Sequence, residues 1–125
     1  MALAKHIPAT DWQTAIFQQL AKLMEIDDNP QASWRVRRPT AAAYKAAVSL
    51  ISQIVADKAL PSPRIAPDRE GGFQLEWEKG PRAVEININR SGTIELLTSD
   101  GRRDRENGHV SIATAGDAVV RLARI

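Results

Sequence analysis

The chain has no cysteine among its 125 residues. That excludes disulfides, thiolate metal sites and cysteine nucleophiles together, and it fits a cytoplasmic protein. Histidine is almost as scarce. His6 and His109 are the two, and neither has an acid or a second histidine at metal-ligand spacing. A Gly-x-Ser-x-Gly elbow is missing, so a nucleophilic triad has no support. No apolar run is long enough to cross a bilayer, and the opening MALAKHIPATDW has no extended apolar segment of the kind a secretory signal needs. Strong charge of one sign is missing too. A net charge of +2 is small for a dedicated nucleic-acid binder and leaves such a role to a local patch. There is no internal repeat and no low-complexity segment. Nothing calls for a metal or a cofactor.

A length of 125 residues with 43% hydrophobic and 26% charged side chains is the material of one domain with a core of its own. The reading is a single α+β domain over 1–125, with a helical part at 1–60, an antiparallel sheet at 61–113 and a helix at 114–125. Thr10 and Gln13 fit a capping box at the start of a first helix. Trp12, Ile16, Leu20 and Leu23 then recur at helical spacing, widened by Phe17 and Met24. Asp27, Asp28, Asn29 and Pro30 mark its stop. Thr40 caps a second helix, whose apolar face is Tyr44, Ala47, Val48, Ile51, Ile54 and Val55. That helix runs to Leu60, where Pro61 and Pro63 end it.

Past Pro67 the period falls to two. Phe73, Leu75 and Trp77 share one face of a strand, Val84, Ile86 and Ile88 one face of the next, and Ile94, Leu96 and Thr98 one face of a third. A three-residue loop at 90–92, with Gly92 left-handed, pairs Ile88 with Ile94. The Gly80–Pro81 turn pairs Trp77 with Val84 and Leu75 with Ile86. A one-residue slip in either hairpin buries charge, so the pattern fixes its own register. The expected sheet therefore has three or four antiparallel strands. Helices cover its apolar face, and Gln74, Glu76, Glu85, Asn87 and Glu95 occupy its wet face. Segment 99–109 reads as a charged loop, followed by a short helix at whose start Gly116 is unfavourable.

Leu60, Pro61 and Pro63, then Gly72, Leu75, Glu76 and Trp77, then Val84, Glu85, Ile86 and Gly92 lie in residues 60–97. This stretch resembles a group of small bacterial proteins usually called hypothetical. They share a Leu-Pro-x-Pro linker after a helix, a strand ending near Glu-Trp and a strand with a Val/Leu-Glu-Ile core. The likeness implies the architecture and a bacterial or phage origin. It implies no activity.

Three constellations carry possible chemistry. In the register above Glu76 faces Glu85, and Glu95 faces Asn87. Paired carboxylates divide acid and base roles only in a concave, partly dry site, so a solvated sheet face is the preferred reading. The run EIDDN at 25–29 lacks the alternating ligands of a calcium loop and reads as a helix-ending turn. The stretch SWRVRRPT at 33–40 is the candidate site. Trp34 and Val36 alternate with Arg35, Arg37 and Arg38 just ahead of a capped helix, where the backbone field is already positive. An anion or an acidic partner relieves that repulsion. The plainer alternative is an edge strand with solvated arginines.

The expected function is a non-enzymatic protein-interaction module in a bacterial defence, phage or toxin-neutralising setting, with a protein partner and no membrane. The alternative is a nucleic-acid or phosphate-binding module that uses Arg35, Arg37 and Arg38. Third comes an enzyme with a carboxylate site on the sheet. The sequence specifies no oligomeric state.

Overall fold

The computed structural model describes residues 11–25, 37–54 and 60–123. In chain order the elements are α1 (Asp11–Leu23), α2 (Ala41–Gln53), β1 (Arg64–Pro67), β2 (Phe73–Lys79), β3 (Arg82–Ile88), β4 (Ile94–Ser99), β5 (Asp104–Val110) and α3 (Ile112–Leu122). The strands form one antiparallel meander in the order β1-β2-β3-β4-β5.

The central hairpins follow the hydrophobic alternation. Trp77 lies opposite Val84 and Leu75 opposite Ile86, and Ile88 lies opposite Ile94. Gly92 has a φ of 88°, and the N–H of Asn89 bonds the carbonyl of Thr93 around residues 90–92. Phe73, Leu75, Trp77, Val84, Ile86, Ile88, Ile94 and Leu96 are all buried on one face.

The helices form the second layer on that face. The helix α3 lies over β2, β3 and β4, while α2 joins it to α1, which reaches β1. Ser111 caps α3 by accepting from the N–H of Thr114, 3.1 Å away. Ala115, Gly116, Val119 and Leu122 are the residues that α3 buries. Thr40 caps α2 in the same way through the N–H of Ala43.

Several expectations need correction. The sheet has five strands, not three or four. The first extra strand, β1, grows out of the Leu-Pro-x-Pro linker and pairs Ile65 with Leu75. Its short length and terminal Pro67 suit an edge. The second, β5, occupies the expected charged loop. Both of its faces are wet, so it carries no apolar alternation, and its pairing with β4 includes a register shift between Leu96 and Leu97. The helix α3 starts at Ile112, so Gly116 lies in its interior and is buried. The expected C-terminal helix is present and packs on the sheet together with the two N-terminal helices.

The helix α2 ends at Gln53 instead of Leu60, because Ile54 is extended with φ −79° and ψ 119°. The side-chain amide of Gln13 meets that end, donating to the carbonyls of Ile51 and Ile54 at 3.0 and 2.7 Å. Gln13 thus serves the end of α2, while Thr10, its expected capping partner, lies outside the described residues. So do the EIDDN turn from Ile26 on, Pro30, and Val55. The buried face of α2 is also turned from the expected one. Ala43, Ala46, Ala47, Leu50 and Ile51 are buried, whereas Tyr44 and Val48 are partly covered.

Candidate functional site: an arginine-lined cleft

Two tight turns meet at one end of the sheet. Gly80 and Pro81 join β2 to β3, and residues 100–103 join β4 to β5. The register Ala83–Ser99 brings the two turns side by side. Gly101 makes the contact possible. Its φ is 91°, and an added β-carbon would lie 2.9 Å from Cβ of Pro81 and 3.1 Å from the Pro81 carbonyl oxygen, closer than carbon atoms pack.

The second turn is held by its own acid. A carboxylate oxygen of Asp100 accepts from the N–H groups of Arg102 and Arg103 at 2.9 and 3.0 Å. These two bonds, first, and the Arg103 charge hold the Asp100 carboxyl below its ordinary value. The hydroxyl of Ser99 accepts from the N–H of Gly101 at 3.3 Å. The backbone is therefore fixed while the arginine side chains project.

Arg82, Arg102, Arg103 and Arg105 line a cleft of about 540 Å³ together with Thr98, Ser99 and Asp100. The cleft opens on the helix-covered side, since Arg105 pairs with Thr98 and Thr98 with Val84. Beside it Arg82 and Arg121 border a smaller recess under α3. No salt bridge among the described residues involves any of the four cleft arginines. Guanidinium groups donate in a fixed planar fork and do not deprotonate in proteins. Such a set receives carboxylate or phosphate groups and leaves proton transfer to other residues.

The site expected at residues 34–38 is only partly visible. Trp34 and Arg35 lie outside the described residues. Arg37 and Arg38 are exposed just before α2. Thr40 ties that segment to the far end of the sheet, its N–H to the carbonyl of Gly71 and its hydroxyl to that of Arg90. Arg37 and Arg38 are thus brought toward Arg90, a full strand length from Arg82.

The carboxylates lie on the open face as expected, and Glu76 does face Glu85. Glu76 is more covered than a solvated residue, with 29% of its side chain exposed. Arg64, on β1, pairs with both Glu76, at 2.7 Å, and Glu78. The side-chain amide of Asn87 donates to Glu85 at 3.0 Å. Glu76 and Glu85 line an open recess of about 250 Å³ together with Asp104, but Glu76 is paired with Arg64 and Glu85 with the amide of Asn87, which serves structure better than acid–base work. His109 is exposed on the same face, opposite Glu95. Among the described residues no cluster of histidine and acidic side chains has the arrangement of a metal site, and no helix is long and apolar enough to cross a membrane.

Sequence reasoning missed the cleft, although a signal was present. Extending the Ile88–Ile94 pairing down the hairpin places Arg82 beside Asp100, next to GRRDR at 101–105. No protein-family model matches the chain, and no curated protein and no solved structure matches it.

Proposed function

We propose that the protein is a non-enzymatic interaction module that binds an acidic segment of a partner protein in the arginine-lined cleft. The observation that supports this is four guanidinium groups around one concave site, none in a salt bridge among the described residues. Asp100 is the one acid in the lining and acts against Arg103; three further guanidinium groups remain beside it, and an anionic partner offsets their repulsion. The cytoplasmic and bacterial setting belongs to the same proposal. It rests on the missing cysteines and on the likeness of residues 60–97, not on the cleft.

A polynucleotide backbone is the second reading, favoured by the same density of arginine. Two features weigh against it. No aromatic side chain lines the cleft, so bases find no stacking platform there. Asp104 and Glu106 sit one residue to either side of Arg105 on the opposite face, and the open face beyond them carries Glu76, Glu85 and Glu95. A phosphate chain leaving the cleft on that side meets like charge.

The test is titration of a fluorescent oligoglutamate peptide, and of single- and double-stranded oligonucleotides, at two salt concentrations. The peptide is expected to bind the wild type. Binding should be lost when Arg82, Arg102, Arg103 and Arg105 are replaced together by Gln, with the circular dichroism spectrum unchanged. Tighter binding of oligonucleotide with a steep salt slope replaces the first reading by the second. Binding of neither probe defeats both.

A further inference from the structure

We infer that the free edge of β5 is where the partner docks, by adding an extended segment as a sixth antiparallel strand whose charges alternate. This deepens the acidic-partner reading and rests on it. Among the described residues β5 has one neighbour, β4. Its residues from Asp104 to His109 are all exposed. The outer backbone groups of such an edge are a template for another chain.

The charges on β5 select the occupant. Arg105 lies on the helix side and lines the cleft. Asp104 and Glu106 lie on the open side, opposite Ser99 and Leu97. Directly opposed residues in an antiparallel pair share a face. An incoming strand therefore sets one residue against Arg105 on the cleft side, and its two neighbours against Asp104 and Glu106 on the other. Opposite charges at these positions are favourable and like charges unfavourable. The complementary core is basic–acidic–basic, and in antiparallel sense the residues that follow pass Arg103 and Arg102, where further acids fit.

A second copy of this chain does not satisfy the pattern. A two-fold pair centred on Arg105 sets Arg105 against itself and Asp104 against Glu106. One centred on Asp104 or Glu106 sets that acid against itself. The alternation, together with the register shift at Leu96/Leu97, discourages self-pairing as edge charges and bulges commonly do. The same alternation admits a strand of complementary order.

The test compares three synthetic peptides on the intact protein by amide chemical-shift titration. The first is Val-Thr-Lys-Glu-Lys-Asp-Glu. The second is Val-Thr-Lys-Lys-Glu-Asp-Glu, which moves one acid to the wrong face and keeps the acidic tail. The third is the first peptide with alternate backbone nitrogens methylated. The first peptide should shift the amides of residues 104–110, and the other two should bind about tenfold or more weakly. Charge reversal by Arg105→Glu should weaken the first peptide, and a peptide with Lys at the central position should restore binding. Equal affinity for all three peptides overturns strand addition and leaves the cleft as the binding site. Failure of all three, together with failure of oligoglutamate, overturns both. Concentration-dependent shifts of β5 amides in the protein alone, or displacement of the peptide from β5 by an oligonucleotide, would give the edge to another occupant and overturn the inference.

Discussion

A β-carbon at Gly72 would overlap the carbonyl oxygen of Ile88, a backbone atom with no freedom to withdraw. The carboxylate of Asp68 crowds the same position, because it accepts from the N–H of Gly72 at 2.8 Å. Gly72→Ala should cost about 2–4 kcal/mol, in the range of overpacking with backbone displacement, read as a lower denaturation midpoint. A change below about 0.5 kcal/mol contradicts this account of the β1–β2 turn. Asp100 gives a pH prediction. Two backbone N–H bonds hold its carboxyl below the ordinary value. A group depressed in the folded state stabilises fully above its unfolded value, and that contribution fades as pH falls through the folded one. In an NMR titration the Asp100 carboxyl should protonate below a reference aspartate, and the amides of Arg102 and Arg103 should move with it. Titration at the ordinary value or above would show that the turn does not hold those bonds in solution.

At the scale of elements, Trp77 and Glu76 are neighbours with opposite duties. Trp77 is fully buried and meets Trp12 of α1 edge-on, with ring centroids 6.4 Å apart and planes at 84°. The aromatic ring against it therefore comes from the first helix. Trp77→Ala should cost about 3–5 kcal/mol. Glu76→Gln should cost at most about 1 kcal/mol, since Arg64 keeps its contact with Glu78. Equal losses in urea unfolding would reverse the assignment of faces. These two residues also show what was legible. The strands β2, β3 and β4 each bury alternate large side chains, so composition, register and facing were all written in one pattern. No such pattern exists where burial is absent. Asp104, Arg105, Glu106 and Asn107 look like a loop because β5 is exposed on both faces from Asp104 to His109, and only the ladder to β4 reveals the strand. The end of α2 was hidden for another reason. Gln13, 41 residues before Ile54, meets it, and local propensity carries no record of so distant a donor.

Among the described residues Arg37, Arg38 and Arg90 lie toward one end of the sheet and Arg82, Arg102, Arg103 and Arg105 at the other, with Glu76, Glu85 and Glu95 on the open face between them. Of the candidate site read from sequence, Arg37 and Arg38 lie at the end where Thr40 meets Gly71 and Arg90. The cleft lies at the other, where β3 begins with Arg82. Consecutive arginines are visible in a sequence, whereas a cluster assembled from β3, the following turn and β5 appears only once the register is extended. Six residue steps along β3 separate the two ends, about 20 Å at strand rise, roughly twice the screening length at moderate salt. The two ends therefore act as separate sites toward a short ligand. Replacing Arg37 and Arg38 together by Gln should change the affinity for a seven-residue acidic peptide by less than about twofold, since screened charges at that distance contribute little. Replacing Arg102 and Arg105 should reduce it by about tenfold or more, because in the proposed binding mode both guanidinium groups face acids of the ligand. Raising the salt should mainly slow association for a protein partner. If both double variants weakened an oligonucleotide equally and the peptide not at all, the two ends would be serving one long anion laid across the molecule. The polynucleotide reading would then stand in place of the protein partner.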